Sequence, residues 1–213
     1  MKVFFAAAAP FELAQRWTDS LWNGKTERIA RMRRESDKAL ALTAHRLLCY
    51  AIRTEHGIEP LPQDFALEPK GKPYLKAAPD IHFSISHSGT MAMCALHDQP
   101  VGADIEKVRA VARGVPERIM SAAEHELYMR SSDKKALFFQ IWTLKEAYIK
   151  YCGEGLGLAM NSFTVCPSGR GLTDTGCEFW MTQHIPGYQA AVCAKSGASP
   201  DIVMVDTQQL SSH

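Results

Sequence analysis

The stretch HFSISHSGTMAMCALHDQPVGADIEKV, residues 82–108, decides how the chain folds. It divides into three short runs, HFSISHS, MAMCALHD and VGADIEKV, separated by turn signals at Ser88-Gly89 and Gln99-Pro100. Runs of this length between glycine and proline punctuation read as strands, and three in succession with such short turns predict a small antiparallel sheet.

Upstream, Val3 to Ala8 fits a buried strand, and Phe11 to Trp22 spaces Leu13, Trp17 and Leu21 four residues apart, as one helix face requires. The opening MKVFFAAAAPFELA imitates a signal peptide, but its apolar run is short and broken by Pro10, so it reads as the first strand. Lys25 to His56 is helical in pattern: a basic stretch at Arg28, Arg31, Arg33 and Arg34 precedes Leu40, Leu47, Leu48 and Ile52, and Gly57 is the stop. The five prolines between residues 58 and 80 predict an ordered loop draped over a surface.

Downstream, helices are expected over 116–130 and 134–151, the second with Asp133 as N-cap and Gly153 at its end. SFTV, CEFWMT, QAAVCA and DIVMVD then predict a second sheet. The fold class is α+β, and a strand, helix and sheet order that recurs in both halves hints at duplication.

At 213 residues and 46% hydrophobic composition the chain can bury a core as one long domain or two packed halves. Lys and Arg number 24 against 23 Asp and Glu, a balance that argues against a broad nucleic-acid footprint or a polybasic membrane anchor. An anionic ligand must therefore be held by a local cluster. The six cysteines are scattered without a CxxC pair, which suggests neither a zinc site nor a disulfide framework. No apolar run approaches the roughly 20 residues of a membrane span, so a soluble, cytoplasmic protein is expected.

Asp104 and Glu106 lie two apart in a strand, so both carboxylates project from one face and can converge on a hard cation. Magnesium takes an octahedral oxygen shell completed by water and substrate phosphate, and this pair would form part of one. On its own a DxE strand is more often a solvated edge. WTLKEAYIK sets Trp142, Lys145, Glu146, Ile149 and Lys150 along one helical stripe. From spacing alone, an ordinary surface pair of Glu146 with Lys150 flanked by core aromatics is the favoured explanation over a functional role. In the functional reading Glu146 completes the metal shell while Lys145 or Lys150 neutralises charge on phosphate oxygens. Ser86, His87 and Ser88 are short polar donors near a turn, suited to phosphate. They lack the GxSxG setting of a nucleophilic serine.

Taken together, FSISHSG (83–89), VGADIE (101–106) and WTLKEAYIK (142–150) resemble the three motifs of the Sfp-type 4'-phosphopantetheinyl transferases, of the holo-acyl carrier protein synthase superfamily, in order and spacing. GKP (71–73), AEHEL around Glu124 and GEGLGL (153–158) extend the resemblance over nearly the whole chain. It implies two pseudo-symmetric halves, 1–108 and 109–213, each a small antiparallel sheet with helices, with a coenzyme A cleft between them. It also implies a monomer. The activity implied is transfer of phosphopantetheine from coenzyme A to a serine of an apo acyl or peptidyl carrier protein, of fatty-acid, polyketide or nonribosomal peptide type.

Carried over by position, Asp104, Glu106 and Glu146 match magnesium ligands and Lys150 the lysine on the pyrophosphate. Lys72, Ser86 and His87 match coenzyme A contacts, with His87 near the 3'-phosphate, and Glu124 matches an acidic residue tied to catalysis. The base is expected to be Glu146, or Glu124 if the roles divide. Two positions depart from the family. Leu40 stands where an arginine commonly follows DxxR, so nucleotide contacts are expected from Arg33, Arg34, Lys38 or Arg46. Glu154 replaces a frequent lysine and reverses the charge that would face an acidic carrier. The rival readings are a magnesium-dependent coenzyme A phosphohydrolase and a catalytically idle coenzyme A or carrier-binding module.

Overall fold

The computed structural model describes residues 1–22, 24–167, 176–182, 184–195 and 199–211, apart from the side chain of Leu156 in the GEGLGL stretch. Strand β1 (Lys2–Ala7) leads into a short helix α1 (Phe11–Ala14) and a 3-10 stretch to Ser20. Trp17 and Leu21 are buried there, as their spacing predicts, although the helix tightens after its first turn. The expected helix over 25–56 is two: α2 (Lys25–Ala30) and α3 (Glu35–His56). Arg34 between them adopts extended backbone, and α3 buries the apolar face that the sequence assigns to it.

The proline-rich loop carries an unforeseen hairpin, β2 (Phe65–Leu67) with β3 (Pro73–Leu75). Strands β4 (His82–Ser88), β5 (Met91–His97) and β6 (Val101–Lys107) fall on the three expected runs. Helices α4 (Pro116–Ile119) and α5 (Ala122–Arg130) replace one continuous helix, because Met120 is extended and Ser121 opens a new N-terminus. Helix α6 (Lys134–Cys152) has the predicted ends: Asp133 accepts a hydrogen bond from the Ala136 amide at 3.0 Å. Gly153 closes it with φ 69°, and Gly57 closes α3 in the same way with φ 68°. Strands β7 (Cys177–Thr182), β8 (Tyr188–Lys195) and β9 (Asp201–Val205) and helix α7 (Thr207–Ser211) complete the chain.

Two sheet expectations are corrected. Strand β6 does not pair with β5, whose two edges are already taken by β4 and β1; it crosses to a second sheet of order β6-β8-β7. The first sheet has the order β4-β5-β1-β9 and is antiparallel except where β9 joins β1 in parallel. SFTV, residues 162–165, is not a strand. Its Val165 amide is spent on a carboxylate oxygen of Glu124 at 2.6 Å rather than on a ladder.

The layers stack as α3, first sheet, second sheet and α6. Phe4, Ala6, Ala92, Cys94 and Leu96 face α3, while Val3, Phe5, Met93 and Ala95 face Ala103, Ile105, Ala190 and Val192 of the second sheet. The alternate residues Ala191 and Cys193 face α6. This alternation follows from the period of two along a strand. It leaves Gly102, Asp104 and Glu106 of β6 on the α6 side. A Cβ at Gly102 would stand 1.9 Å from the Ala147 carbonyl oxygen, so strand and helix meet backbone to backbone.

Candidate active site

The free edge of β6 faces β4, and side chains rather than a ladder satisfy it. The Ala103 amide donates to Ser84 Oγ at 2.9 Å, and the Lys107 amide donates to Ser88 Oγ at 3.2 Å. Ser86 Oγ donates to Asp104 Oδ1 at 2.6 Å, and Ser88 Oγ donates to Glu106 Oε2 at 2.6 Å. Three serines two apart thus lace the two sheets together. Their neighbours on the opposite face of β4, Phe83 and Ile85, pack on the α3 side, and His87 shares that face.

Asp104 is buried, and Lys150 from α6 donates to its Oδ1 at 2.7 Å and to the Ala103 carbonyl at 3.1 Å. Its second oxygen, Oδ2, is buried with no hydrogen-bond partner. Burial pushes the Asp104 carboxyl above the usual range, against the pull of Lys150 and Ser86. Glu146, one helical turn before Lys150, is half-buried and has no hydrogen bond or ion pair among the described residues. Burial, and after it the charge of Asp104, raises its pKa. Glu106 is held by Ser88 and by Arg109, whose guanidinium donates to Oε2 at 2.7 Å.

Two raised carboxyls and an orphaned buried oxygen fit a bound cation, which would supply the missing partner. Among the described residues no group of three or more His, Cys, Asp or Glu side chains closes to metal-holding distance. The donor set therefore suits an ion that draws most of its oxygens from water and phosphate, not one caged by protein.

On the other face of β4, His87 is open to solvent but crowded by protein. That crowding, then Lys25, Lys150 and Arg28, lowers its pKa to about 4. Lys25 sits over the Trp22 ring at 4.4 Å, and burial brings its amine down to about 7. Lys25 and Arg28 of α2 are the basic groups beside His87; Arg28 belongs to the basic stretch read from the sequence, whereas Lys25 was not singled out there. Their spacing of three places them on one helix face, the signal that could have found Lys25. Arg34 and Lys38, expected as nucleotide contacts, stand at the start of α3 without ion pairs among the described residues. Arg46, another candidate, is buried, with its Nε donating to the Leu210 carbonyl at 2.7 Å.

Four assignments are corrected. Glu124 and Lys145 are each 0% exposed and pair at 2.8 Å, so neither faces a substrate. Glu124 also accepts from the Ser121 amide at 2.8 Å in a capping box, and Lys145 donates to the carbonyls of Met160 at 2.6 Å and Phe163 at 2.5 Å. The pair stitches α5 and α6 to the 160–165 segment. Lys72, expected on coenzyme A, has its ammonium on main-chain carbonyls of Lys150 and Tyr151 at the end of α6 and of Val101 at the start of β6. Ser86 is also buried, and its hydroxyl is committed to Asp104.

The arrangement defines an α+β protein with an acidic, lysine-bearing centre at the seam between two sheets and a cationic face on the far side of the same strand, a layout for handling phosphate esters. Residues 100–193 match the 4'-phosphopantetheinyl transferase superfamily, and residues 12–99 match the family described as 4'-phosphopantetheinyl transferase, N-terminal. The 4'-phosphopantetheinyl transferase Sfp of Bacillus subtilis (strain 168) is 33% identical over 196 residues, covering 87% of this chain and 88% of that one. The 4'-phosphopantetheinyl transferase ffp of Bacillus subtilis is 31% identical over 212 residues, 93% of this chain and 95% of the relative. The 4'-phosphopantetheinyl transferase psf-1 of Bacillus pumilus is 34% identical over 164 residues, 71% and 70% of the two chains. The chain belongs to the 4'-phosphopantetheinyl transferase family.

Proposed function

We propose that this protein transfers the 4'-phosphopantetheine group of coenzyme A to a serine hydroxyl of an apo acyl or peptidyl carrier protein, releasing 3',5'-ADP. The observation that carries the reading is Asp104, buried with Lys150 on one oxygen and nothing on the other, beside the unpaired Glu146. Such a centre is costly to the free protein unless a cation and an anionic ligand complete it. Family membership supports coenzyme A and a carrier protein as the two substrates.

Asp104, Glu106 and Glu146 are the residues that would hold magnesium, which when bound neutralises charge on the pyrophosphate. Lys150, whose side chain is 29% exposed, lies at the same seam and can meet a pyrophosphate oxygen while it orders Asp104. His87, neutral at pH 7, Lys25, partly protonated there, and the Arg28 guanidinium offer a nucleotide phosphate donors on the α2 side, and Arg34 and Lys38 at the start of α3 are further candidates. Glu146 takes the proton of the attacking serine hydroxyl, and its raised pKa makes it a better acceptor at neutral pH. The serine oxygen then bonds to the β-phosphorus and the bond to 3',5'-ADP breaks. Ser86 acts through Asp104, and Glu124 and Lys145 act on the fold.

The walls of the coenzyme A cleft are the halves 1–108 and 109–213, with β6 and β9 crossing between their sheets. The protein works as a monomer in the cytoplasm, and among the described residues no helix is long and apolar enough to cross a membrane. The test is intact-mass measurement of apo fatty-acid and peptide carrier proteins after incubation with coenzyme A and magnesium, with a chelator control. A magnesium-dependent gain of one phosphopantetheine is expected on at least one carrier. Coenzyme A breakdown without any gain would mark a phosphohydrolase, and binding alone an idle module.

A further inference from the structure

Lys72 stands in the β2–β3 hairpin, whose turn is tied by the Glu68 amide donating to the Lys72 carbonyl at 2.8 Å. Its ammonium reaches three main-chain oxygens: Lys150 at 2.6 Å, Val101 at 3.1 Å and Tyr151 at 3.4 Å. An ammonium has three protons, so this set leaves none for a phosphate. Lys150 and Tyr151 are in the last turn of α6, where carbonyls lack helical partners and the helix end is negative. Val101 opens β6, three residues before Asp104. Beside it, Lys70 pairs with Glu154, and a Cβ at Gly153 would meet Glu68 Oε2 at 3.0 Å and Lys72 Cδ at 3.6 Å, so the hairpin is seated on the helix end.

We propose that Lys72 is a positioning residue, a clamp that fixes the end of α6 on the edge of β6 and so sets Glu146 and Lys150 against Asp104. The proposal rests on the reading of that centre given above. It separates Lys72 from substrate binding. The two roles differ in what they move, since a phosphate contact governs affinity for coenzyme A whereas a clamp governs the alignment of groups already bound.

The experiment compares the wild type with Lys72→Met and Lys72→Arg. It reads kcat on an apo carrier protein, the Kd for coenzyme A by calorimetry, and amide hydrogen exchange over residues 147–153. Arginine keeps a cation for a phosphate but cannot place three donors from one nitrogen on three carbonyls. In both variants the clamp lowers kcat by at least about tenfold and leaves the Kd within about threefold. Exchange in the last turn of α6 rises by about fivefold or more. A Kd weakened more than about tenfold by methionine and restored by arginine, with unchanged exchange, would overturn the proposal in favour of a substrate contact. Unchanged kcat in both variants would overturn it as well. If Lys72→Met does not fold, Lys72→Arg decides by the same readings. If the wild type transfers nothing, the functional reading fails by itself, and exchange in α6 still decides whether Lys72 holds the helix end.

Discussion

Gly102 on β6 lies against the backbone of Ala147 on α6, close enough that a Cβ would stand 1.9 Å from the Ala147 carbonyl oxygen and 2.3 Å from the Tyr151 amide nitrogen. Both obstacles are main-chain atoms, so no side chain can rotate away. The same approach lets Lys150 reach Asp104 at 2.7 Å. Gly102→Ala must therefore push the helix off the strand. A loss of about 3 kcal/mol is expected, with a fall in Tm on the order of 10 °C and loss of transfer in parallel. Thermal melts and rates at matched concentration check it; wild-type values would show that the two backbones separate without cost.

Asp104→Asn and Glu146→Gln keep shape and remove charge. Each should lower transfer by about a hundredfold or more, because the site loses an oxygen charge where cation and phosphate meet. Melting temperatures should stay within about 5 °C of wild type, since one change removes a penalised buried carboxyl and the other a half-buried one. Intact-mass assays and magnesium titration followed by calorimetry separate lost chemistry from lost binding. Near-normal transfer in either variant would contradict the metal assignment.

The Glu124–Lys145 pair is fully buried, and its remaining valences are filled by the Ser121 and Val165 amides and by two carbonyls. Removing one partner strands a charge in the interior at a cost of about 3–5 kcal/mol. Glu124→Gln and Lys145→Met should each destabilise strongly, and the double variant should lose less than the sum of the two. Urea unfolding of the four proteins measures the coupling. A catalytic Glu124 would instead leave stability unchanged and abolish the rate.

What could be read from the sequence follows from the range of the interactions. Local periodicity found β1, β4 to β9 and the long helices, and the capping signals Asp133, Gly153 and Gly57 placed their ends. That Asp104 and Glu106 share one strand face, and Glu146 and Lys150 one helix face, was legible because spacings of two on a strand and four on a helix are properties of one element. The sheet that receives β6 was not legible, because β1 and β9 compete for edges from opposite ends of the chain. Nor was the fate of Lys145. One residue turns a helix by about 100°, so Lys145 enters the core while Glu146 faces the seam, and only the position of α5 decides which. Glu124 was half legible, since Ser121-Ala-Ala-Glu124 is a capping-box pattern that already gives the glutamate a structural task.

His45 on α3 gives the fold a dependence on acid. It is 0% exposed, with Nε2 donating to the Ser20 carbonyl at 2.8 Å and the ring edge-on to Trp22 at 5.1 Å between centroids. Burial, and then the charge of Lys25, holds its pKa down from 6.5 to about 3. The unfolded chain takes up this proton near pH 6.5 and the folded protein does not, so between those values the unfolded state binds more protons and stability rises with pH. The contribution of His45 is complete above about pH 6.5 and is lost as pH falls toward 3, at about 1.4 kcal/mol per unit. His45→Gln can still donate to Ser20 and cannot titrate. Urea unfolding free energies of both proteins between pH 7 and 4 should diverge by about 3 kcal/mol in the acid limb, with the variant the flatter curve. Parallel curves would mean that His45 is protonated in the folded state and that its cavity tolerates the charge.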